Sequence, residues 1–362
     1  MTVITPPPIP SEAMRPAVAI ILVNWNNWRD TVECIDSALG LDYPDFHLFV
    51  VDNDSQDDSV GHIARWCESP ATVGSGPSPK VRRWSETSKR GIACRRLRAD
   101  SSPEPDLSLE CRVTIVQSAQ NTGFAGGCNI GMRTAGLERF GFFWFLNTDT
   151  VVERDALAAL VERGTRGDNC GMVGSTTLYY DHPDIVQAQA GAWLNMSTGE
   201  SRHIGEGERL SDTLPSAAEV ESQLGYIFGA SMLVSRELVR RIGPMQDDYF
   251  LYYEEVDWAM RSRQHFRLGY AEKSIVYHKS GNSSSKTMPL FSANLYYRNR
   301  IRFMSRFLPH AMNDTKRLLM ITMAKCLIKG QWPQAKLLAG ILMDADRLRR
   351  DAIKPDSKGV HA

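Results

Sequence analysis

Four short apolar runs, none carrying a formal charge and each ended by polar residues, constrain this chain more than any other feature. They occupy 18–23, 46–51, 113–116 and 142–146. A strand apolar on both faces belongs in the middle of a sheet covered on both sides, which is the habit of parallel sheets. Between the runs the period changes to that of a helix. Trp28 to Leu39 repeats Val32, Ile35, Ala38 and Leu39 and is closed by Gly40. A second helix follows 52–55, with Ser55 or Asp57 as its cap, and runs to about Trp66. A Gly-rich turn at 121–127 opens a third, to about Ala135. This β-α-β-α order predicts a parallel α/β sheet with right-handed crossovers. Ligands of such sheets gather beyond the carboxyl ends of the strands. The polar residues just after each run are therefore the place to look for chemistry.

The alternation breaks once. From 68 to about 110 Ser, Pro, Gly and Arg recur with neither period, and 68–111 reads as a flexible surface insertion. Past Thr150 the pattern predicts a helix at 154–162, strands at 172–180, 186–193 and 226–234, and a short helix capped by Ser235 and stopped by Gly243-Pro244. A helix at 254–264 and a short strand at 274–277 follow. From about Leu290 the chain is helical, basic and amphipathic. The expected organisation is a tail at 1–16, one α/β domain at 17–289, helices at 290–350 and a tail at 351–362.

Bulk properties exclude several classes. Lys+Arg and Asp+Glu are both 42, which argues against a nucleic-acid binder. Seven scattered cysteines without a C-x-x-C pair indicate neither a disulfide framework nor a zinc site and fit a reducing cytoplasm. The Pro-rich start lacks the apolar core of a signal peptide. No window reaches the ~18 apolar residues of a membrane span. A soluble or peripheral protein is expected.

Three constellations carry chemistry. The acidic loop at 52–58 follows a strand; it is an ordinary turn and cap, or it presents Asp52 to the imide N–H of uracil or thymine. The turn Asn121-Thr122-Gly123-Phe124 exposes backbone N–H groups to an anion, although a simple tight turn explains it equally. Downstream, Glu254, Glu255 and Asp257 begin a helix among Phe250, Tyr252, Tyr253 and Trp258. Acids there complement the helix dipole, while aromatic neighbours raise a carboxylate's pKa and suit it to act as a general base. Asp149, in Asn147-Thr148-Asp149-Thr150, can hold a divalent cation against a diphosphate. His278 completes its ligands if the fold brings the two together.

As a set, these motifs resemble family 2 inverting glycosyltransferases of the GT-A fold, with spacing similar to the rhamnosyltransferase-like branch. The residues that carry the resemblance are Val-Asn-Trp-Asn-Asn at 23–27, Val-Val-Asp-Asn-Asp-Ser at 50–55, Asn-Thr-Gly-Phe-Ala-Gly-Gly-Cys-Asn-Ile-Gly at 121–131 and Phe-Leu-Asn-Thr-Asp-Thr at 145–150. Phe-Gly-Ala-Ser-Met-Leu-Val at 228–234, Phe-Leu-Tyr-Tyr-Glu-Glu-Val-Asp-Trp at 250–258 and His278 complete it. The resemblance implies a Rossmann-like, mostly parallel sheet flanked by helices, with a C-terminal helical extension. Asp52 and Asn53 would read the base, and Asn24 and Asn26 would line the nucleoside pocket. Asn121, Gly123, Phe124 and Asn129 would flank ribose and diphosphate. Asn147 takes the first place of the metal-binding D-x-D motif and Asp149 the last. Asp149 and His278 would hold Mg²⁺ or Mn²⁺. Trp193 and Trp258 would face sugar. Glu255, or its neighbour Glu254, would be the base.

The implied partners are a TDP- or UDP-linked sugar and a glycan or polyprenyl-linked acceptor of cell-surface polysaccharide synthesis, with no nucleic acid. A non-catalytic sugar-nucleotide binder and a sugar nucleotidyltransferase are the rival readings. The nucleotidyltransferase would place a Gly-rich basic loop where Asn24-Trp25-Asn26-Asn27 stands. The C-terminal apolar stretches 318–321 and 337–343 are either a helical pair packed on the domain or an in-plane helix at the inner face of the plasma membrane.

Overall fold

The computed structural model describes residues 15–74, 76–88, 90–100, 111–210, 215–279 and 288–353. Most of both expected tails, and 101–110 of the insertion, lie outside the described residues.

The first half is the expected α/β alternation. Strand β1 (Val18–Asn24) leads to α1 (Trp28–Leu39), β2 (Phe46–Asp52) and α2 (Ser59–Glu68), then α3 (Trp84–Thr87) and β3 (Ala93–Arg98). Next come β4 (Cys111–Gln117), α4 (Gly123–Ala135), β5 (Phe142–Leu146), β6 (Thr150–Val152) and α5 (Ala156–Gly164). Strands β7 (Cys170–Tyr179), β8 (Val186–Gln189), β9 (Gly191–Leu194) and β10 (Ser201–His203) precede α6 (Ala217–Gln223). Then β11 (Tyr226–Ile227), β12 (Ser231–Ser235), α7 (Arg236–Ile242), α8 (Glu254–Ser262) and β13 (Arg267–His278) lead to α9 (Leu290–Phe307), α10 (Met312–Ile328) and α11 (Trp332–Ile353).

One sheet runs β3-β4-β2-β1-β5-β12-β7-β13-β6, with β8 paired to β7; a smaller one runs β10-β9-β11. The strands from β3 to β5 are mutually parallel, and β12 runs against its neighbours β5 and β7. Both faces of β1 are buried. Val18, Ile20 and Leu22 pack with α1, α2 and α5, while Ala19 and Ile21 pack with α4 on the other side. That is why the sequence shows an unbroken apolar run instead of alternation. Register aligns the strand ends: Asn24 lies opposite Asp52, Asp52 opposite Gln117, and Leu22 opposite Leu146.

Three expectations are corrected. The stretch 68–111 is not simply a flexible insertion, because it holds α3 and the edge strand β3, parallel to β4. Its Ala-Cys-Arg-Arg-Leu-Arg is largely exposed, so no burial pattern marks it as a strand. Its first half is fastened to α1: Arg83 Nη2 donates to Glu33 Oε1 at 2.8 Å, both buried, and Asp36 accepts from the Ser85 amide at 2.8 Å. The strand expected at 274–277 is the end of the long β13, whose register shifts between Ala271 and Ile275. The C-terminal region has three helices where a pair was expected. Leu319, Leu338 and Ile341 are buried in the same core as α4 and α8, so those helices do pack on the domain.

Candidate active site

Asp52 ends β2 almost fully buried, held by a short polar chain. Asn24 Nδ2 donates to its Oδ1 at 2.9 Å, the Ser55 amide donates to its Oδ2 at 3.2 Å, and Thr31 Oγ1 donates to Asn24 Oδ1 at 2.7 Å. Each carboxylate oxygen keeps a further lone pair for a ligand. Next in sequence, Asn53 ties the end of β2 to the start of α4. Its Oδ1 accepts from Thr122 N at 3.0 Å and its Nδ2 donates to Gly123 O at 2.9 Å. Gly123 has φ +72, and a Cβ there would sit 2.2 Å from the Phe250 carbonyl oxygen, so only glycine fits. The Phe124 amide donates to that same oxygen at 2.7 Å. The end of β2 and the start of α4 are thereby docked on the loop that leads to α8.

The loop after β5 meets the end of β13. Thr150 pairs with His278 across the β6–β13 ladder, which brings Asp149 Oδ1 to 3.2 Å from His278 Nε2. His278 Nδ1 lies 2.9 Å from Gln187 Oε1. An amide oxygen only accepts, so Nδ1 donates to it and Nε2 is the ring atom turned toward Asp149. The side-chain nitrogen of Asn147 lies 3.5 Å from the same Nε2. This donor set, one carboxylate oxygen and one imidazole nitrogen, suits a Mg²⁺ or Mn²⁺ ion whose other ligands are phosphate oxygens and water. Among the described residues no group of three or more His, Cys, Asp and Glu could enclose a metal alone.

The third part is the loop before α8. Phe250, Tyr252 and Tyr253 have φ of +63, +70 and +76, a region that bulky residues enter at about 1–3 kcal/mol each. Helix α9 holds them there. The Asn299 amide nitrogen lies 2.7, 2.8 and 3.0 Å from the carbonyl oxygens of Tyr249, Leu251 and Tyr252. Arg300 Nε donates to the Tyr253 hydroxyl at 3.1 Å, and that hydroxyl donates to Gly199 O at 2.8 Å. Asn299→Ala is expected to lower stability by about 1–3 kcal/mol, since it strands buried carbonyls. It should lower kcat further than it weakens nucleotide binding, because the loop it frees carries the acids. Thermal melts beside steady-state kinetics check this.

Glu254 and Glu255 emerge from that loop as the first residues of α8. Among the described residues, three buried side-chain polar atoms have no hydrogen-bond partner: Trp84 Nε1 and the Oε2 atoms of these two glutamates. Two buried orphans side by side at the end of a strained loop call for an explanation, and a polar ligand that supplies the missing hydrogen bonds is one. Burial, then the charge of Glu255, pushes Glu254 far above the usual carboxylate range. Burial pushes Glu255 up to about 7. Glu254 therefore stays protonated where Glu255 titrates. A methyl group placed on Gly229 would lie 3.5 Å from Glu255 Oε1 and 3.9 Å from the Phe124 ring. The neighbouring Phe228 ring is 5.8 Å from that of His278, and the Asn147 amide donates to Ala230 O at 3.0 Å. Through the 228–230 turn, the glutamates and the Asp149–His278 pair share one rim. A cavity of about 480 Å³ borders Thr122, but it opens between Arg98 and Arg133 at the ends of β3 and β4, not at the acids.

The family model described as "Glycosyl transferase family 2" matches residues 19–97 and 99–239, more than half the chain. The chain belongs to glycosyl transferase family 2. The low-salt glycan biosynthesis hexosyltransferase Agl10 of Haloferax volcanii is 22% identical over 207 residues, 56% of this chain. The match spans 64% of that relative's length. Two solved structures share the fold. A mannosyltransferase, PcManGT from Pyrobaculum calidifontis, in complex with GDP-Man and Mn²⁺, superposes with TM-score 0.51 at 15% identity, covering 96% of this chain and 90% of that one. GalNAc-T7 with UDP, GalNAc and Mn²⁺ gives TM-score 0.55 at 11% identity, covering 85% and 51%. The mixed α/β sheet is thus a GT-A fold with a C-terminal helical extension.

Within this family member, several expected contacts prove to be internal. Asn129 is buried and bonded through both ends of its amide to the Met245 backbone, at 2.8 and 3.2 Å, so it anchors α4 to the chain before α8. Trp258 is fully buried, its ring against Phe145 and its Nε1 donating to Gly243 O at 2.9 Å; it is core, not a sugar platform. Asn24 is also wholly enclosed and serves by holding Asp52. Asn26, with φ +52, accepts from the Gln56 amide at 2.6 Å and ties the turn after β1 to the turn after β2. Trp193 is half-exposed on β9. Ser59, not the residue after Ser55 or Asp57, opens α2, although Asp57 does accept from the Ser59 amide at 3.2 Å. Thr31, Gln187 and Asn299 escaped sequence reasoning. Gln187 and Asn299 act on partners far along the chain, Thr31 acts on Asn24 across the turn after β1, and no local pattern marks them.

Proposed function

We propose that the protein is an inverting glycosyltransferase that moves a sugar, with rhamnose the first candidate, from a TDP- or UDP-linked donor to a hydroxyl of a glycan or polyprenyl-linked glycan in cell-surface polysaccharide synthesis. One observation carries the reading: an unpartnered Glu255 carboxylate, raised to about 7, shares a rim with the Asp149–His278 pair. Family membership and the nucleotide-sugar complexes of the neighbours support it, as does a further neighbour, S. aureus TarS 1-349 in complex with UDP-GlcNAc.

Asp52 accepts the imide proton of the base and so favours uracil or thymine over cytosine. The turn at Asn53 and Gly123 sets the floor beside the ribose. A Mg²⁺ or Mn²⁺ ion held by Asp149 and His278 would supply charge neutralisation for the departing diphosphate. Glu255 takes the proton from the acceptor hydroxyl as its oxygen attacks the anomeric carbon, and the bond to the diphosphate oxygen breaks on the opposite face. One displacement inverts the centre, as in inverting hydrolysis. Glu254, neutral and buried beside it, keeps the pair to a single charge.

Thermal shifts with a panel of nucleotide sugars and Mn²⁺, followed by analysis of the released nucleotide, test the reading. Release of UDP or TDP is expected; pyrophosphate would indicate a nucleotidyltransferase, and binding without release a silent binder. For Asp52, UDP or TDP should bind about tenfold or more tightly than CDP, from one charged hydrogen bond. Equal affinity by calorimetry would remove Asp52 from that role.

A further inference from the structure

The C-terminal helices leave one end strongly apolar and strongly basic. Ile328, at the end of α10, is 86% exposed, Trp332, at the start of α11, 66%, and Phe291, in the first turn of α9, 64%. They fall together because α10 turns back through Gly330 into α11, so that α11 packs alongside α9 and its first turn lies at the end where α9 begins. Farther along the bundle, Arg298 in the middle of α9 and Lys316 near the start of α10 reach Asp344 and Asp346 of α11, at 3.6 and 2.9 Å. Among the described residues no acid is paired with a lysine at the apolar end. Lys325, Lys329 and Lys336 are exposed there, and none forms an ion pair among the described residues. Between Glu272 and Asp344 the sequence holds one acid, Asp314, against twelve lysines and arginines.

We infer that this end is a docking surface for an anionic lipid bilayer. Exposed aliphatic and aromatic side chains ringed by lysines match a surface that is apolar just beneath a negative headgroup layer. Tryptophan favours that boundary. No helix among the described residues is long and apolar enough to cross a membrane, so the contact is peripheral. The surface also adjoins the site. The Phe291 ring packs edge-on against Phe250, 6.4 Å away, and Phe250 belongs to the loop that carries Glu254 and Glu255. Docking would hold the rim of the site close to the headgroups, within reach of an acceptor carried in the bilayer.

This inference rests on exposure and charge, not on the proposed reaction, and is tested without donor or acceptor. The full chain is sedimented with phosphatidylglycerol–phosphatidylcholine vesicles and with phosphatidylcholine vesicles, at low and high salt. Binding to the anionic vesicles is expected, weakened by salt. Lys325→Gln with Lys329→Gln should weaken it on the order of thirtyfold. Ile328→Ser with Trp332→Ser should also release the protein, while both double variants keep the wild-type melting temperature and nucleotide affinity. Failure to bind, or equal and salt-insensitive binding to both vesicles, overturns the inference. So does a concentration-dependent dimer that Ile328→Ser with Trp332→Ser abolishes, since a second copy would then cover the face.

Discussion

Glu255→Gln is expected to lower the transfer rate by about 10²–10⁴-fold, the range that a positioned general base contributes. Nucleotide affinity should stay near wild type, because on the proposed reading Asp52 and the ion ligands, not Glu255, hold the nucleotide. Glutamine keeps the shape and removes only the ability to take a proton. A rate near wild type would place the base elsewhere. The pH profile carries the same assignment. Burial holds Glu255 at about 7, so the ionised, active form grows as pH rises through that value and kcat should climb with it.

The variant should also be more stable than the wild type above neutral pH. In the unfolded chain Glu255 titrates in the ordinary carboxylate range, whereas in the fold it does so near 7. Below the ordinary range both states hold the proton, and no penalty exists. Between there and 7 only the folded state holds it, so stability falls as pH rises and levels off beyond 7. Glutamine removes that dependence. A raised Tm with lost turnover is a pairing that a merely structural glutamate would not give, and thermal melts across the pH range measure it.

Asp149→Ala should cost roughly 10²-fold or more in turnover, since charge neutralisation of a leaving diphosphate is worth several kcal/mol. EDTA should do the same to the wild type, and added Mn²⁺ should restore it. The fold has little reason to fail, because the contact from Asp149 to Lys279 N uses the backbone carbonyl, at 2.9 Å. A Mn²⁺-dependent thermal shift, present in the wild type and absent in the variant, separates ion binding from catalysis. Undiminished turnover in EDTA would sink the metal assignment.

The alternation of apolar runs and helical periods located the sheet and its carboxyl edge, because a strand buried on both faces leaves an unmistakable run. It failed at β3, since Arg95, Arg96 and Arg98 lie on an exposed edge where backbone pairing, not burial, makes the strand. Acids placed just after strands, Asp52 and Asp149, were legible for the same reason that the strands were. Trp258 and Asn129 misled because an aromatic or amide near an acid looks the same in sequence whether it faces a ligand or its own backbone.

Residue order alone determined the layered α/β architecture, the strand-end positions of the acids and the basic character of the C-terminal helices. Only the tertiary structure decided which acid can ionise. Glu254 and Glu255 are identical and adjacent, and burial raises both; the charge of Glu255 then pushes Glu254 higher. The loop before them, with Phe250, Tyr252 and Tyr253 in left-handed backbone, is tied down by Asn299 from a helix some fifty residues later. Such long-range contacts have no period along the chain, and so leave no trace to read in it.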